Sequence, residues 1–511
     1  MPQPETTACA APGASPLGPD TVRFSVWAPA KESVGVRLRG RVHELAPAGD
    51  GFFGAELAAA AGDDYAFVVD GAARPDPCSR FQPEGVHGPS RVVDTSAFEW
   101  GDDDWHGVVL DELVVYELHV GTFSDAGTFE GVIPHLGELR ELGVTAIELM
   151  PVATFPGNRG WGYDGVYAYA PHPAYGGPEG LARLVDAAHG AGLGVILDVV
   201  YNHLGPGSEA IAAFGPYLTD RHETVWGDGI DYSQRGVREW AIQNACMWVR
   251  DYHVDGLRLD AVGAVFDDSP RHVLAELADR VREESPHALA ISEMGVDDLR
   301  PIEEWGHDAQ WLDRFHHELH VLLTDEHDGY YEPFGSLRGL AAEYGRAPAE
   351  RIVVYAQNHD QVGNRALGGR LRREQLRVAT ACALFAPQTP LLFMGQEYGE
   401  ERPFQFFTDH DDPAVAEATR EGRKHEFERF TAFSGDVPDP QDPATFERSK
   451  LDRSTADEEL RAFHRELLAL RRELPRKVEV EVDEQARTLT ARRGRVELHA
   501  DFANTTVELR R

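Results

Sequence analysis

The sequence contains no long apolar run and very few cysteines. No uninterrupted apolar stretch approaches the roughly 20 residues that a helix needs to cross a bilayer, so we expect no membrane span. The 511 residues include four cysteines, none of them in a CxxC pair: Cys9, Cys78, Cys246 and Cys382. We therefore expect isolated thiols rather than a disulfide framework or a zinc site.

Basic residues are also scarce, because 49 Lys and Arg stand against 86 Asp and Glu, for a formal net charge of -37. Such a surface repels phosphate backbones, so no nucleic-acid partner is expected, and its main effect is to keep the protein dispersed. The first 20 residues lack the basic start and apolar centre of a secretory signal. We expect a disordered tail over residues 1–20 and a cytoplasmic protein.

The pattern of the chain changes after about residue 100. Residues 21–100 hold short alternating strands separated by Gly, Pro and Asp, which predicts an N-terminal β-sandwich. Over residues 105–430, eight apolar strands alternate with amphipathic helices, which predicts a (β/α)8 TIM barrel of the α/β class. A Pro-rich connection over 431–455 and a short C-terminal β-domain over 456–511 are expected to follow. The segment between Leu204 and Arg235 is too long for an ordinary βα loop and predicts a small lobe over the barrel mouth.

Polar residues interrupt several of the predicted strands near their C-terminal ends. A charge in an apolar strand costs several kcal/mol unless it is paired or used, and this end of a barrel carries the side chains that act on substrate. The residues are Asp198, Asn202, His203, Arg258, Asp260, Glu293, Asn358, His359 and Asp360. Carboxyl groups that differ in protonation state are the groups needed to cleave a glycosidic bond.

The stretches DVVYNH, GLRLDAV, SEM and QNHD, in this order, resemble the four signature regions of the α-amylase family of glycoside hydrolases. The resemblance implies a retaining enzyme on a (β/α)8 barrel, with Asp260 as nucleophile, Glu293 as general acid/base and Asp360 as a third carboxylate that holds sugar hydroxyls. The substrate-binding residues that it implies are Tyr163, Asp198, His203, Arg258 and His359.

Further stretches, among them YELHVGTF, WGYDGVYAYAPHPAYGGPEGL and QNHDQVGNR, resemble members of that family that release trehalose from the end of a maltooligosyl chain. The expected partner is therefore maltooligosyl trehalose or a related α-glucan. Met294 and Gly295 follow Glu293, where the resemblance leads us to expect an acidic or amide residue. An amylase, a debranching enzyme or a branching transferase remains an alternative, whereas a silent glucan-binding protein is disfavoured because all three carboxylates are present.

Two patterns invite other interpretations. FHHELH places His316 and His320 four residues apart, but the spacing is not HExxH, and a helix packing against the barrel is favoured over a metal site. No dense set of oxygen ligands surrounds Asp198, so we predict no metal and no cofactor. The aromatic residues of EWGHDAQWLDRF either line a sugar subsite or fill the barrel wall, and the sequence leaves both open.

Overall fold

The structure is a computed structural model that describes residues 12–295, 297–427 and 437–511. A β-sandwich comes first. Its strands are β1 (Gly13–Gly18), β2 (Thr21–Trp27), β3 (Gly35–Leu38), β4 (Arg41–Glu44), β5 (Ala46–Gly49), β6 (Phe52–Ala58), β7 (Asp64–Val69), β8 (Ala72–Arg74) and β9 (Ser90–Arg91). One sheet has the order β1-β2-β6-β5, and the other has the order β4-β3-β7-β8, with β9 paired to β7. Alternating side chains fill the space between the sheets, where the rings of Phe24 and Tyr65 meet edge to face at 5.1 Å.

The prediction of a disordered tail over residues 1–20 is wrong for residues 13–18, which form β1 and pair antiparallel with β2. Pro16 has no N–H for a ladder bond, but β1 is an edge strand, where proline is tolerated. The Pro- and Ala-rich composition of this segment gave no indication of a strand. Residues 1–11, including the predicted free thiol Cys9, lie outside the described residues. The other three cysteines are free, as predicted, and the structure shows that they are buried.

A closed parallel barrel follows the sandwich. The next strands are β10 (Val115–Leu118), β11 (Ala146–Leu149), β12 (Ala153–Thr154), β13 (Tyr167–Pro171), β14 (Gly194–Val199), β15 (Leu218–Thr224), β16 (Gly227–Ile230), β17 (Gly256–Leu259), β18 (Leu289–Glu293), β19 (Ala309–Trp311), β20 (Ile352–Tyr355) and β21 (Thr389–Phe393). The barrel order is β10-β11-β14-β17-β18-β19-β20-β21, which confirms the predicted (β/α)8 fold. β12 pairs with β13 and β15 with β16 outside the barrel.

Helices surround the barrel and fill its loops. They are α1 (Val120–Phe123), α2 (Phe129–Val132), α3 (Leu136–Leu142), α4 (Gly177–Gly190), α5 (Glu209–Ala212), α6 (Arg235–Tyr252), α7 (Val273–Glu284), α8 (Arg300–Glu303), α9 (Asp313–Thr324), α10 (Leu337–Tyr344), α11 (His359–Gly363), α12 (Arg373–Phe385), α13 (Pro413–Phe427), α14 (Pro443–Arg448) and α15 (Glu458–Arg471). Among the described residues, no helix is both long enough and apolar enough to cross a membrane.

The C-terminal part is an antiparallel sheet with the order β22 (Glu479–Asp483), β23 (Thr488–Arg493), β24 (Val496–Asp501) and β25 (Thr506–Arg510). The predicted β-domain over 456–511 nevertheless begins with α15, which packs against α12 and α3. The buried residues Leu460, Leu467 and Leu468 recur with a helical spacing, because α15 must cover the barrel. The predicted boundary at residues 430 and 431 lies outside the described residues.

A linker over residues 98–109 joins the sandwich to the barrel and is fastened to the N-terminal end of the barrel by a buried histidine. His189 Nδ1 lies 2.8 Å from Asp102 Oδ2 of the linker, and His189 Nε2 lies 3.0 Å from Asp255 Oδ2 next to β17. Trp105 stacks on the imidazole and donates to Asp255 Oδ1 at 2.7 Å. Since both ring nitrogens face carboxylates, His189 is a charged imidazolium that donates twice.

We expect His189→Gln to lower the free energy of unfolding by about 3 kcal/mol at pH 6, because one amide cannot serve both carboxylates. Burial lowers the pKa of His189, but Asp255 and Asp102 outweigh it and raise the pKa above the ordinary 6.5. The stabilisation is therefore complete below pH 6.5 and is lost as the pH rises through the folded-state pKa. Urea unfolding at pH 6 and pH 9 measures this, with His87→Gln at an exposed site as control. A difference from wild type that stays constant between the two pH values would contradict the prediction.

Candidate active site

The structure gathers all eight predicted site residues at the C-terminal end of the barrel. Asp198, Arg258 and Glu293 lie within β14, β17 and β18, and Asp260 directly follows β17. The remaining four lie on the loops and the short helix above these strands: Tyr163, His203, His359 and Asp360. Neighbouring parallel strands end at the same edge, so side chains far apart in the sequence meet there.

Arg258 is the centre of the site and is fully buried. Its Nη1 donates to Asp198 Oδ2 at 2.7 Å and to Asp260 Oδ1 at 2.9 Å. Its Nη2 lies 2.8 Å from Glu293 Oε2, and its guanidinium carbon lies 4.4 Å from the ring centroid of Trp311. One rigid cation therefore bridges three carboxyl groups, which explains why a buried strand carries an arginine.

Asp260 is held through both of its carboxylate oxygens. Arg258 occupies Oδ1, while Asn202 Nδ2 donates to Oδ2 at 2.8 Å and to the main-chain oxygen of Asp260 at 2.9 Å. Two donors from different strand ends fix the direction of this carboxylate before any ligand arrives. The sequence places Asn202 near the end of its strand but gives no indication that it contacts Asp260.

Glu293 is held by a strained turn that follows Asp260. The backbone N–H of Ala261 donates to Glu293 Oε2 at 2.9 Å, and Ala261 has a φ of 39°, in the left-handed region that favours glycine. Burial raises the pKa of Glu293, Arg258 opposes this, and the charge of Asp260 raises it further. Burial and the charge of Asp260 therefore favour the protonated form of Glu293.

His359 joins the barrel interior to the mouth of the site. Its Nδ1 lies 2.5 Å from Glu117 Oε1, and its backbone N–H donates to Glu117 Oε2 at 2.9 Å. Its Nε2 lies 2.8 Å from the hydroxyl of Tyr163 and 3.5 Å from Asp360 Oδ1. Burial lowers the pKa of His359, but Asp360 and Glu117 outweigh it and raise the pKa to about 10.

Tyr163 closes a chain of hydrogen bonds across the site. Its hydroxyl accepts from His359 and donates to Asp198 Oδ2 at 2.7 Å, and its ring stacks on the imidazole at 5.0 Å between centroids. Gly162 has a φ of 101°, and a Cβ there would lie 2.0 Å from the carbonyl oxygen of Pro151. Only glycine fits this turn, which delivers the Tyr163 ring to the site.

His203 contacts the side-chain oxygen of Asn202 through Nδ1, and burial lowers the pKa of His203 to about 4, so it is neutral. The ring of Trp226 stacks on it, with centroids 4.5 Å apart. Trp226 lies at the tip of the β15–β16 hairpin and is half exposed, and the neighbouring Val225 is almost fully exposed. The predicted lobe thus reaches the site through a residue that the sequence did not single out, although an exposed Val-Trp pair in a long loop is a usable signal.

Other polar residues near the site were also missed by the sequence interpretation. Glu117 and Glu148 lie in apolar barrel strands and are almost completely buried. Asp313 follows β19, contacts the hydroxyl of Tyr355, and has its pKa raised to about 6 by burial. A polar residue inside an apolar run was the available signal for each of the three.

The two remaining sequence patterns, EWGHDAQWLDRF and FHHELH, have structural roles. Trp311 lies in the barrel wall under Arg258, so of the two alternatives it fills the barrel. His316 is buried in α9, with Nδ1 2.8 Å from Ala356 O and Nε2 3.0 Å from the hydroxyl of Tyr331. Both ring nitrogens of His316 are therefore engaged by the protein, which agrees with the favoured packing interpretation of FHHELH.

Comparison with known proteins places the chain among glucan-active enzymes. A family model described as the catalytic domain of alpha amylase matches residues 89–216. A malto-oligosyltrehalose trehalohydrolase of Deinococcus radiodurans is 45% identical, with 91% of this chain and 83% of that protein covered. One from Saccharolobus solfataricus is 42% identical, with 89% and 86% covered.

Solved structures agree with the fold. One crystal structure is described as an alpha amylase from Salmonella typhimurium. It is 39% identical and has a TM-score of 0.89, with 96% of this chain and 93% of that chain covered. A pullulanase from Anoxybacillus complexed with maltotetraose has a TM-score of 0.74 at 18% identity, with 96% and 81% covered, and supports the fold alone. From the site geometry and the extent of the sequence matches, the chain belongs to the malto-oligosyltrehalose trehalohydrolases, within the α-amylase family of glycoside hydrolases.

Proposed function

We propose that this protein is a retaining hydrolase that cleaves the α-1,4-glucosidic bond next to the terminal trehalose of maltooligosyl trehalose and releases trehalose. The observation that carries the mechanism is the pair Asp260 and Glu293 on adjacent nitrogens of the Arg258 guanidinium. A retaining enzyme needs two carboxyl groups about 5 to 5.5 Å apart, and a shared guanidinium supports that close spacing. The named relatives support the substrate.

In the first step, Asp260 attacks the anomeric carbon of the glucosyl unit at the cleaved bond. Glu293 gives its proton to the glycosidic oxygen, the bond between that oxygen and the anomeric carbon breaks, and trehalose leaves. The two groups have different roles because Asp260 receives two donors, whereas burial raises the pKa of Glu293 and so favours its protonated form.

In the second step, Glu293 is a carboxylate and takes a proton from water. The water oxygen bonds to the anomeric carbon, the bond to Asp260 breaks, and the shortened maltooligosaccharide leaves with its original anomeric configuration. Glu293 has then regained its proton and Asp260 its charge. Each atom and proton is accounted for by these two residues, the substrate and one water.

Four residues around this pair are proposed to contact the sugar. His359, as an imidazolium, can donate to sugar hydroxyls, whereas Asp360 and Nε2 of neutral His203, whose one N–H faces Asn202, can accept from them. The Tyr163 ring presents a face for stacking. Asp198 is proposed to act through Tyr163 and Arg258, both of which donate to it.

The test is product chromatography after parallel incubation with maltooligosyl trehalose, maltohexaose and a branched glucan. We expect free trehalose as the main product of the first and little action on the others. Maltose or maltotriose from maltohexaose would replace the proposal with an amylase. Linear chains released from the branched glucan would replace it with a debranching enzyme, and new branch points with a transferase. Asp260→Asn in the same preparations shows that any product comes from this site.

A further inference from the structure

Two acidic residues lie side by side inside the barrel, directly beneath the site. Glu117 on β10 and Glu148 on β11 are paired in register, and each is 1% exposed. Two ionised carboxylates this close in a dry interior repel each other strongly, so one of them must be neutral or carry a counter-charge.

Glu117 accepts two hydrogen bonds from one residue, His359, which also supplies the positive charge next to it. The ring nitrogen Nδ1 and the backbone N–H of His359 occupy its two carboxylate oxygens, at 2.5 Å and 2.9 Å. A carboxylate that accepts two hydrogen bonds from a single residue fixes both the position of the backbone and the rotation of the ring. With Nδ1 committed to Glu117, only Nε2 of His359 faces the site.

Glu148 differs from Glu117 although it lies one strand away in the same register. Neither of its carboxyl oxygens has a hydrogen-bond partner, and neither is reached by solvent. An ionised carboxylate without donors in such a place is prohibitively unfavourable, so Glu148 is a neutral acid. Burial and the neighbouring charge of Glu117 both raise the pKa of Glu148, in agreement with this.

We propose that Glu117 is a positioning residue that holds His359 as a charged imidazolium at the sugar site, while Glu148 stays neutral, so that of these two glutamates only Glu117 supplies a counter-charge. The inference deepens the proposed function and rests on it for its effect on activity. The charge on His359 lets Nε2 donate at the site while Nδ1 still donates to Glu117. A neutral ring has one N–H and can serve only one of these two partners.

The charged and titratable groups that surround His359 determine how its titration is interpreted. They are Glu117 of β10, Glu148 of β11, Asp198 of β14, Arg258 of β17, Glu293 of β18, Tyr163 of the loop between β12 and β13, Asp360 of α11, and His119 next to β10. Because Asp360 also raises the pKa of His359, loss of Glu117 lowers this pKa without removing every favourable charge.

The two residues offer a matched experiment, since Glu117→Gln and Glu148→Gln make the same chemical change in neighbouring strands. The first readout is the NMR titration of the His359 Cε1–H signal in the substrate-free protein, assigned with His359→Asn. We expect a lower pKa of His359 in Glu117→Gln and an unchanged one in Glu148→Gln. The second is the pH profile of kcat/KM, where Glu117→Gln should lose about 10²-fold at pH 7 and Glu148→Gln less than about twofold.

Glu117→Asp keeps the charge and should regain part of the lost activity and of the His359 pKa, which a purely steric role of Glu117 would not produce. An unchanged His359 titration in Glu117→Gln, or equal shifts in both Gln variants, overturns the inference. If Glu117→Gln does not fold, the titrations of Glu117→Asp and Glu148→Gln still decide it. The NMR titration needs no substrate. If trehalose is not released, the proposed function is refuted, but the titration still tests whether Glu117 sets the charge of His359.

Discussion

Asp260→Asn is expected to reduce kcat on maltooligosyl trehalose by more than about 10⁴-fold, because an amide cannot form the glycosyl-enzyme. Glu293→Gln should lose about 10²- to 10⁴-fold on the same substrate, since only proton transfer is removed. Both variants keep the size and shape of the side chain, although the amide replaces one acceptor oxygen with a donor. Each should therefore retain the wild-type circular dichroism spectrum, which shows that the loss of activity is not a loss of the fold.

An α-maltooligosyl fluoride distinguishes the two roles, because fluoride leaves without a proton. Glu293→Gln should form the glycosyl-enzyme from this substrate and accumulate it, as mass spectrometry of the intact protein would show. Azide, which needs no general base, should then release an α-glycosyl azide. Asp260→Asn should give neither species. Normal turnover by Asp260→Asn, or no glycosyl-enzyme in Glu293→Gln, would contradict the assigned roles.

The pH profile provides an independent check of Glu293. Catalysis needs its protonated form, and burial raises its pKa, so activity is retained above the ordinary range of a carboxyl group and falls as the pH rises through the raised value. Glu293→Gln has no proton to lose there. Its glycosylation by the fluoride substrate should therefore show no alkaline decrease from this group.

The barrel, Arg258 and the two carboxylates Asp260 and Glu293 were predictable because their signals are local. Each barrel strand is a short apolar run, and Arg258, Asp260 and Glu293 are polar residues at the ends of such runs. Side chains at a strand end alternate between the barrel interior and the surrounding helices, and the inward-facing set points toward the mouth. Sequence position thus determines spatial position for these residues.

The hydrogen-bond partners of these residues were not predictable in the same way. Glu117 contacts His359, which lies 242 positions away in the sequence. Within its own strand, Glu117 is simply a charged residue in an apolar run, and nothing there indicates its partner. Whether such a residue is charged or neutral depends on donors contributed by other strands, as the contrast between Glu117 and Glu148 shows. Periodicity contains no information on those donors.

Two further misses have different causes. β1 was overlooked because its proline and small residues are typical of a disordered segment, whereas an edge strand needs few ladder bonds. Trp226 was overlooked because the hairpin that carries it is stabilised by contacts such as its stacking on His203, which exist only in the folded protein. Tertiary contacts decided both outcomes.

Arg258→Lys is expected to lower kcat/KM by about 10²- to 10³-fold and the free energy of unfolding by about 3 to 5 kcal/mol. A compact ammonium cannot contact Asp198, Asp260 and Glu293 together, whereas the planar guanidinium does so through two nitrogens. At least one buried carboxylate is then left without its cation. Steady-state kinetics and urea unfolding measure the two losses.

Arg238→Lys is the matched control. Arg238 also bridges two carboxylates, Asp267 at 2.5 Å and Glu276 at 2.7 Å, but it lies outside the site and its side chain is 14% exposed. We expect this variant to lose stability and to keep kcat/KM within about twofold, because Arg238 and its two partners contact none of the reacting groups. Wild-type kcat/KM in Arg258→Lys would show that the three-carboxylate bridge serves folding alone.

Arg258→Met separates charge from geometry. Arg258 lowers the pKa of Glu293, so removing the cation lets this pKa rise further. The alkaline decrease in kcat/KM should therefore move to higher pH in Arg258→Met, even though the maximal rate falls, whereas in Arg258→Lys it should move less because a positive charge remains. A shift to lower pH in Arg258→Met would mean that another group, and not Glu293, supplies the proton to the leaving trehalose.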